Sequence, residues 1–237
     1  MTDVYRLALR QLAGRWRLLI LAVLAALPVL VAAVMLRSAE APSVADFEQT
    51  VLGAMLAGSI LPLVTLAIAA PAFGNEVEDR TLANLVLTPL PRWQLALPKL
   101  LAAITIAAPF VAASALATSQ VAFLGDVRAT LAVTASALTA LVLYAAAFTW
   151  LGLATTQAIG VGLLYIVLWE GLFSGFVAGV RLLSIRHHAI ALMHGLDPRR
   201  FADASHPPLG VVVATAALAA AVFVALTVRR LRRMDVP

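Results

Sequence analysis

Leu18-Leu-Ile-Leu-Ala-Val-Leu-Ala-Ala-Leu-Pro-Val-Leu-Val-Ala-Ala-Val-Met-Leu36 holds no charged side chain and no side-chain hydrogen-bonding group. As a helix it is close to the ~20 apolar residues needed to cross a bilayer. It follows Arg6, Arg10, Arg15 and Arg17, and it is longer than the apolar core of a secretory signal, so it reads as a retained first span. Five more runs of similar length follow, at about 51–73, 98–124, 129–151, 156–178 and 209–228. Polar stretches bound them: Arg37–Thr50, the turn at Gly125-Asp-Val-Arg128, and the terminal Arg229-Arg-Leu-Arg-Arg233. In lipid only helices and closed barrels satisfy every backbone group, and continuous apolar runs without strict alternation choose helices.

Composition agrees. Apolar residues make up 62% of the chain and charged residues only 12%, where a soluble domain averages about half and about a quarter. The expectation is an all-α integral membrane protein, a single transmembrane domain over 1–237. The net charge is +5. The basic residues stand beside apolar runs, which points to lipid headgroups and topology and not to nucleic acid. The absence of cysteine excludes disulfides, cysteine-ligated zinc and thiol nucleophiles.

Residues 3–17 pattern as an amphipathic interface helix, with Val4, Leu7, Ala8 and Leu12 on one face and Arg6, Arg10 and Arg17 largely on the other. Six spans put both termini on one side. Placing them in the cytoplasm puts 11 of the 17 basic residues inside and 6 outside, the sense of the positive-inside rule. Two segments are more than connectors. The outer segment 179–208 carries Pro198, Pro207 and Pro208 and two apolar stretches, Arg181–Arg186 and Ala189–Met193, suited to a re-entrant or interfacial element before the sixth span.

The other is cytoplasmic, 74–97. Glu76, Glu78 and Asp79 are followed by Arg80 and Thr81, an apolar stripe at Leu82, Leu85 and Val86, and stops at Pro89 and Pro91. A short helix is expected, with acids in its first turn where the macrodipole favours them. Such an element is suited to docking a soluble partner.

These residues resemble the permease subunits of ABC transporters, in the second exporter-type family. That family shows an acidic stretch, Thr-Leu, a few apolar residues, Ser-Pro or a variant, and a Lys opening the next span. Here these are Glu76-Val-Glu78-Asp79, Thr81-Leu82, Thr88-Pro89 and Lys99. Arg80 stands where a Gly is common and Thr88 where a Ser is common. The order of elements is similar over essentially the whole chain, including Leu168-Trp-Glu-Gly-Leu-Phe-Ser-Gly-Phe176 and Leu183-Ser-Ile-Arg186.

The resemblance implies an exporter in the cell's inner (plasma) membrane. Two copies, or this chain and a related one, would form the pathway. Two copies of an ATP-binding subunit would dock at Glu76, Glu78, Asp79, Arg80, Thr81 and Leu82 and at the N-terminal helix. ATP and Mg would sit on that partner, with no cofactor, metal or catalytic residue in this chain. The residues agree on one point: the only lysine, Lys99, follows no phosphate-loop glycine spacing, so ATP chemistry belongs to another polypeptide.

Glu170 lies inside the fifth apolar run. A carboxylate there is costly and often functional. The expectation is a structural or gating role, with Arg181 a candidate partner. His187, His188, His194 and His206, with Asp197 and Asp203, match no metal-ligand spacing. A secondary transporter or channel would carry more intramembrane charge or an internal repeat. An intramembrane enzyme would rest on Glu170 with His187 or His188, and no hydrolase motif is present. A membrane scaffold would not need the acidic, proline-stopped segment.

Overall fold

A short turn sets the first pairing of the bundle. Leu124 and Gly125 both take positive φ, 28° and 90°, and Asp126 then caps the next helix by accepting from the Ala129 amide at 3.1 Å. The chain therefore reverses abruptly between two long helices, α5 (Trp93–Phe123) and α6 (Val127–Ala154). Both helices are rich in small buried residues, among them Ala102, Ala103, Ala107, Ala115, Ala132, Ala137 and Ala140. Small side chains let helix backbones approach closely, which is how helices associate in lipid.

The computed structural model describes residues 1–37, 43–79, 91–173, 184–201 and 207–233. Every element among them is helical. The remaining helices are α1 (Thr2–Leu12), α2 (Arg15–Met35), α3 (Val44–Ala69), α4 (Pro71–Glu78), α7 (Ala158–Leu164), α8 (Ile185–Leu196) and α9 (Leu209–Arg233). Within α3 the stretch Glu48–Ile60 is a π-helix, and a second π-helical stretch, Tyr165–Phe173, continues α7. By length and composition α2, α3, α5, α6 and α9 are each able to cross a membrane. Of the expected span 156–178, helix is seen over 158–173, and residues 174–178 lie outside the described residues.

Burial sorts these helices into a centre and a rim. In α3 and α6 the most apolar window is 72% and 67% buried, against 22% in α2 and 17% in α9. The apolar side chains of α2 and α9 that face outward, such as Val23, Leu30, Val34, Leu218 and Val222, are stable there only against lipid or another membrane chain.

Several boundaries differ from the sequence reading. The interface helix ends at Leu12, because Gly14 takes an extended conformation with ψ 134°; Arg15 and Arg17 belong to the first span. Its buried residues are Ala8 and Leu12, with Tyr5 and Leu9 packed beside them, while Leu7 is 65% exposed. The face is set by packing on α5, where the Tyr5 and Thr105 hydroxyls meet at 2.9 Å. The second span starts at Val44 and not near 51, because Ser43 caps it by accepting from the Asp46 amide at 3.1 Å. Glu48, now inside the helix, is held by His194.

One glycine is fixed by close approach. A Cβ on Gly152 would run into the Ala70 carbonyl, a backbone atom that cannot rotate aside. A Cβ on Gly160 would meet nothing within 4 Å. Gly152→Ala is expected to destabilise the bundle by about 1–3 kcal/mol through overpacking. Gly160→Ala is expected to be neutral or slightly stabilising through helix propensity. Thermal unfolding of the two variants in detergent checks the contrast.

Candidate coupling and gating sites

Lys99 sits in the second turn of α5 and is 3% exposed. A buried ammonium needs a partner and further hydrogen bonds to be tolerated, and α4 supplies both. Lys99 Nζ donates to the Ala72 carbonyl at 2.6 Å and forms an ion pair with Glu76. The Phe73 ring centroid lies 4.5 Å from the same nitrogen. Phe73 in turn packs with Ala96, Leu153 and Leu231, so one cluster ties α4 to α5, α6 and α9.

This pin holds the end of a long helix. Ala70 keeps helical φ and ψ of −63° and −45°, and the Gly74 amide donates to the Ala70 carbonyl at 3.0 Å. The helical path of α3 thus runs through Pro71 into α4 and ends at Glu78. Glu76 and Glu78 therefore occupy the last turn of a helix that began upstream, and not the first turn of a separate one. Carboxylates are disfavoured there by the macrodipole; Lys99 offsets that for Glu76, and water does so for Glu78, which is exposed along with Asp79. Arg80, Thr81 and Leu82 lie outside the described residues.

Glu170 is fully buried, in the π-helical stretch after α7. Its carboxylate accepts from the Tyr165 hydroxyl at 2.9 Å, the Ser184 hydroxyl at 2.5 Å and the Ile185 amide at 3.0 Å. Ser184 is also the N-cap of α8, accepting from the His187 amide at 3.2 Å. Glu170 thus anchors the N-terminus of α8, where a negative charge is favoured by both the dipole and the free amides. Arg181, the partner expected from sequence, lies outside the described residues; the neighbouring cation that is described, Arg186, donates to the Glu170 carbonyl at 3.4 Å. Arg186 runs along the glycine side of the π-helix in α3, where a Cβ on Gly58 would stand 3.1 Å from its Cδ. Tyr165 meets Phe148 edge to face at 6.1 Å, and Phe148 stacks on Tyr144 at 5.7 Å.

From this anchor α8 runs to the Asp126 end of the bundle, where Arg128 donates to the Leu196 carbonyl at 3.3 Å. Twelve residues span about 18 Å, so α8 begins deep inside the bundle. His188 links it to α9, with Nδ1 donating to the Ser184 carbonyl at 2.9 Å and Nε2 at 3.1 Å from the Thr215 hydroxyl. His194 pairs with Glu48 and stacks on Phe201. Asp197 lies 3.6 Å from Arg128, and Asp126 3.9 Å from Arg200. Among the described residues no three His, Asp or Glu side chains are placed to share a metal; Asp203 and His206 fall outside them.

Sequence reasoning missed two partnerships, Glu76 with Lys99 and Glu48 with His194. The first had a signal: a lone lysine near the start of an apolar run must find an anion. The second had none, since 146 residues separate the partners.

Two sets of variants test these sites by thermal unfolding in detergent. Glu76→Leu leaves the Lys99 ammonium buried without its anion and is expected to cost about 3–5 kcal/mol. Lys99→Met leaves a carboxylate with some access to water and is expected to cost less. The double variant is expected to recover most of the loss. At the other site, Glu170→Ala removes the acceptor of three buried donors, at about 1–3 kcal/mol each. Glu170→Gln keeps one carbonyl oxygen and is expected to lose less.

A search of curated proteins finds no match to this chain. A family model described as ABC-2 family transporter protein matches residues 9–185. That range runs from the end of α1 through α2–α7 to the first residue of α8, and it contains both the Lys99 pin and the Glu170 anchor. The chain therefore belongs to the ABC-2 family and is an ABC transporter permease.

Proposed function

We propose that this chain is the membrane subunit of an ATP-driven exporter. It is a single permease unit over 1–237 that forms the substrate pathway with a second permease chain, identical or related. Two copies of a separate ATP-binding subunit dock at its Lys99 end and hydrolyse Mg-bound ATP there. The observation that carries this reading is the uninterrupted helical path from Val44 to Glu78, pinned by Lys99 and ending in the exposed carboxylates of Glu78 and Asp79. A docked subunit that moves this end moves a central helix of the bundle. The ABC-2 match and the missing phosphate loop support the division of labour between chains, and membership in a transport family weighs against the gradient-driven and enzymatic alternatives.

Six traverses with both ends cytoplasmic fit the arrangement of helix ends. Phe47 meets Phe123 at the Asp126 end, so α3 runs from that end towards Lys99, α5 runs back, and α6 returns. Arg230 of α9 donates to the Leu153 and Ala154 carbonyls at the end of α6, at 3.0 Å each, so α9 also finishes at the Lys99 end. Between Ala154 and Leu209 the chain makes one net crossing, shared by α7, its π-helical continuation and α8. The charge bias supports a cytoplasmic Lys99 end, and the proposed location is the inner (plasma) membrane.

The test begins with purification of the tagged chain from its native membrane in mild detergent. A stoichiometric soluble protein with a phosphate loop is expected to come with it; recovery of the chain alone, active in liposomes under an ion gradient, would overturn the reading. Charge reversal at Glu78 and Asp79 is expected to reduce recovery of that partner by about tenfold or more, because like charges placed across an interface repel strongly. Glu76 is left intact in this variant, since its reversal breaks the internal pin.

A further inference from the structure

Arg229, Arg230 and Arg233 at the end of α9 enclose, with Leu226 and with Trp150 of α6, a recess of about 330 Å³. Arg230 is committed to the terminal carbonyls of α6, one hydrogen bond each to Leu153 and Ala154. That clamp fixes the wall of the recess. Arg229 and Arg233 stand one turn apart on the same side of α9 and are exposed. Among the described residues none of the three arginines takes part in an ion pair.

What lies along α9 from this recess decides which anion suits it. At 100° per residue, Val211, Leu218, Val222, Leu226, Arg229 and Arg233 all fall within an arc of about 80°. Val211, Leu218 and Val222 are exposed apolar side chains. Leu218 lies about 16 Å along the helix from Arg229, close to half of a ~30 Å hydrocarbon core. From Leu218 to Leu226 one face of α9 therefore presents an apolar stripe that runs directly into two arginines, with Thr215 on the same arc beyond it. Trp150 stands where the stripe meets the arginines, its ring 6.1 Å from that of Phe223; tryptophan is enriched at membrane–water interfaces. A free phosphate would use the arginines and leave the stripe idle. A zwitterionic lipid would use the stripe and bring its own cation against the arginines.

We infer that this recess is a binding site for the phosphate headgroup of an anionic phospholipid, whose acyl chain lies along the α9 stripe. Arg229 and Arg233 hold the phosphate, Arg230 positions the wall, and Trp150 covers the glycerol region. Basic recesses between membrane helices bind acidic lipid headgroups on the same physical grounds.

The experiment is native mass spectrometry of the full chain in detergent, titrated with dioleoyl phosphatidylglycerol or dioleoyl phosphatidylcholine. Phosphatidylglycerol is expected to bind preferentially. Each basic side chain at a lipid surface contributes roughly fivefold in affinity, so Arg229→Gln with Arg233→Gln is expected to weaken phosphatidylglycerol binding by about 25-fold. Arg6→Gln with Arg10→Gln removes the same charge from α1 and is expected to leave it unchanged. Equal losses in the two double variants would mean diffuse attraction and overturn the site. Displacement of the lipid by glycerol phosphate at similar concentration would make it a free-anion site. Undiminished lipid binding in the Arg229 and Arg233 variant, with loss of a co-purifying ATP-binding subunit, would make it a protein-docking surface.

Discussion

A charge inside a bilayer-spanning bundle has no water to fall back on, and this fold is arranged around that constraint. Lys99 is the clearest case. Its ammonium lies below the surface of the bundle and is satisfied by α4 alone, through the Ala72 carbonyl, the Glu76 carboxylate and the face of Phe73. Breaking such a pair from one side costs far more than never having built it, so α4 and α5 are held in a single relation. Glu170 obeys the same rule from the opposite charge. Three donors converge on it, and two of them belong to the first turn of α8, so the carboxylate fixes where that helix begins. The His194–Glu48 pair then fixes where it ends relative to α3. At the rim stand α2 and much of α9, whose outward side chains are apolar.

The two π-helical stretches fall where these ties meet. Glu48–Ile60 carries Glu48 at one end and the glycines that face Arg186 in its middle, and Tyr165–Phe173 carries both Tyr165 and Glu170. A π-helix is a less favourable backbone than an α-helix and persists where surrounding contacts demand it. Here the demand is to bring a carboxylate, a guanidinium and a helix N-terminus together.

Much of this was legible in the sequence, for a physical reason. Lipid imposes one strong rule on length and polarity, so α2, α5, α6 and α9 are visible as runs, and the tight turn at Gly125-Asp126 as the break between two of them. Arg229–Arg233 is equally plain as a terminal cationic cluster. The boundary of α3 was not legible, because Asp46 and Glu48 read as loop residues until a cap and a distant histidine account for them. Leu7 read as part of the apolar face of an interface helix, and periodicity cannot tell which residues of that face meet α5 and which meet lipid. Glu76 stood out in its acidic segment, but its role is set by Lys99, a contact between elements that local pattern does not encode. Glu170 was conspicuous as a lone acid in an apolar run; Tyr165 becomes its partner through the π-helical stretch they share, and Ser184 and Ile185 only through the return of the chain at α8.

The position of the Lys99 pin has a mechanical consequence. It grips the helical path from Val44 to Glu78 at Ala72 and Glu76, close to one extremity. Beyond Glu76 only about 5 Å of chain reaches Asp79, whereas the way back to Phe47 is several times longer at 1.5 Å per residue. A stiff element held near one end is a lever with unequal arms. On the proposed coupling, a displacement of the short arm would be carried to the far end of the path, where the rings of Phe47, Phe123 and Phe201 meet edge to face and the Glu48–His194 pair resists it. The pin is thus a fulcrum as well as a clasp, and leverage across the bundle is set by which residue carries the lysine.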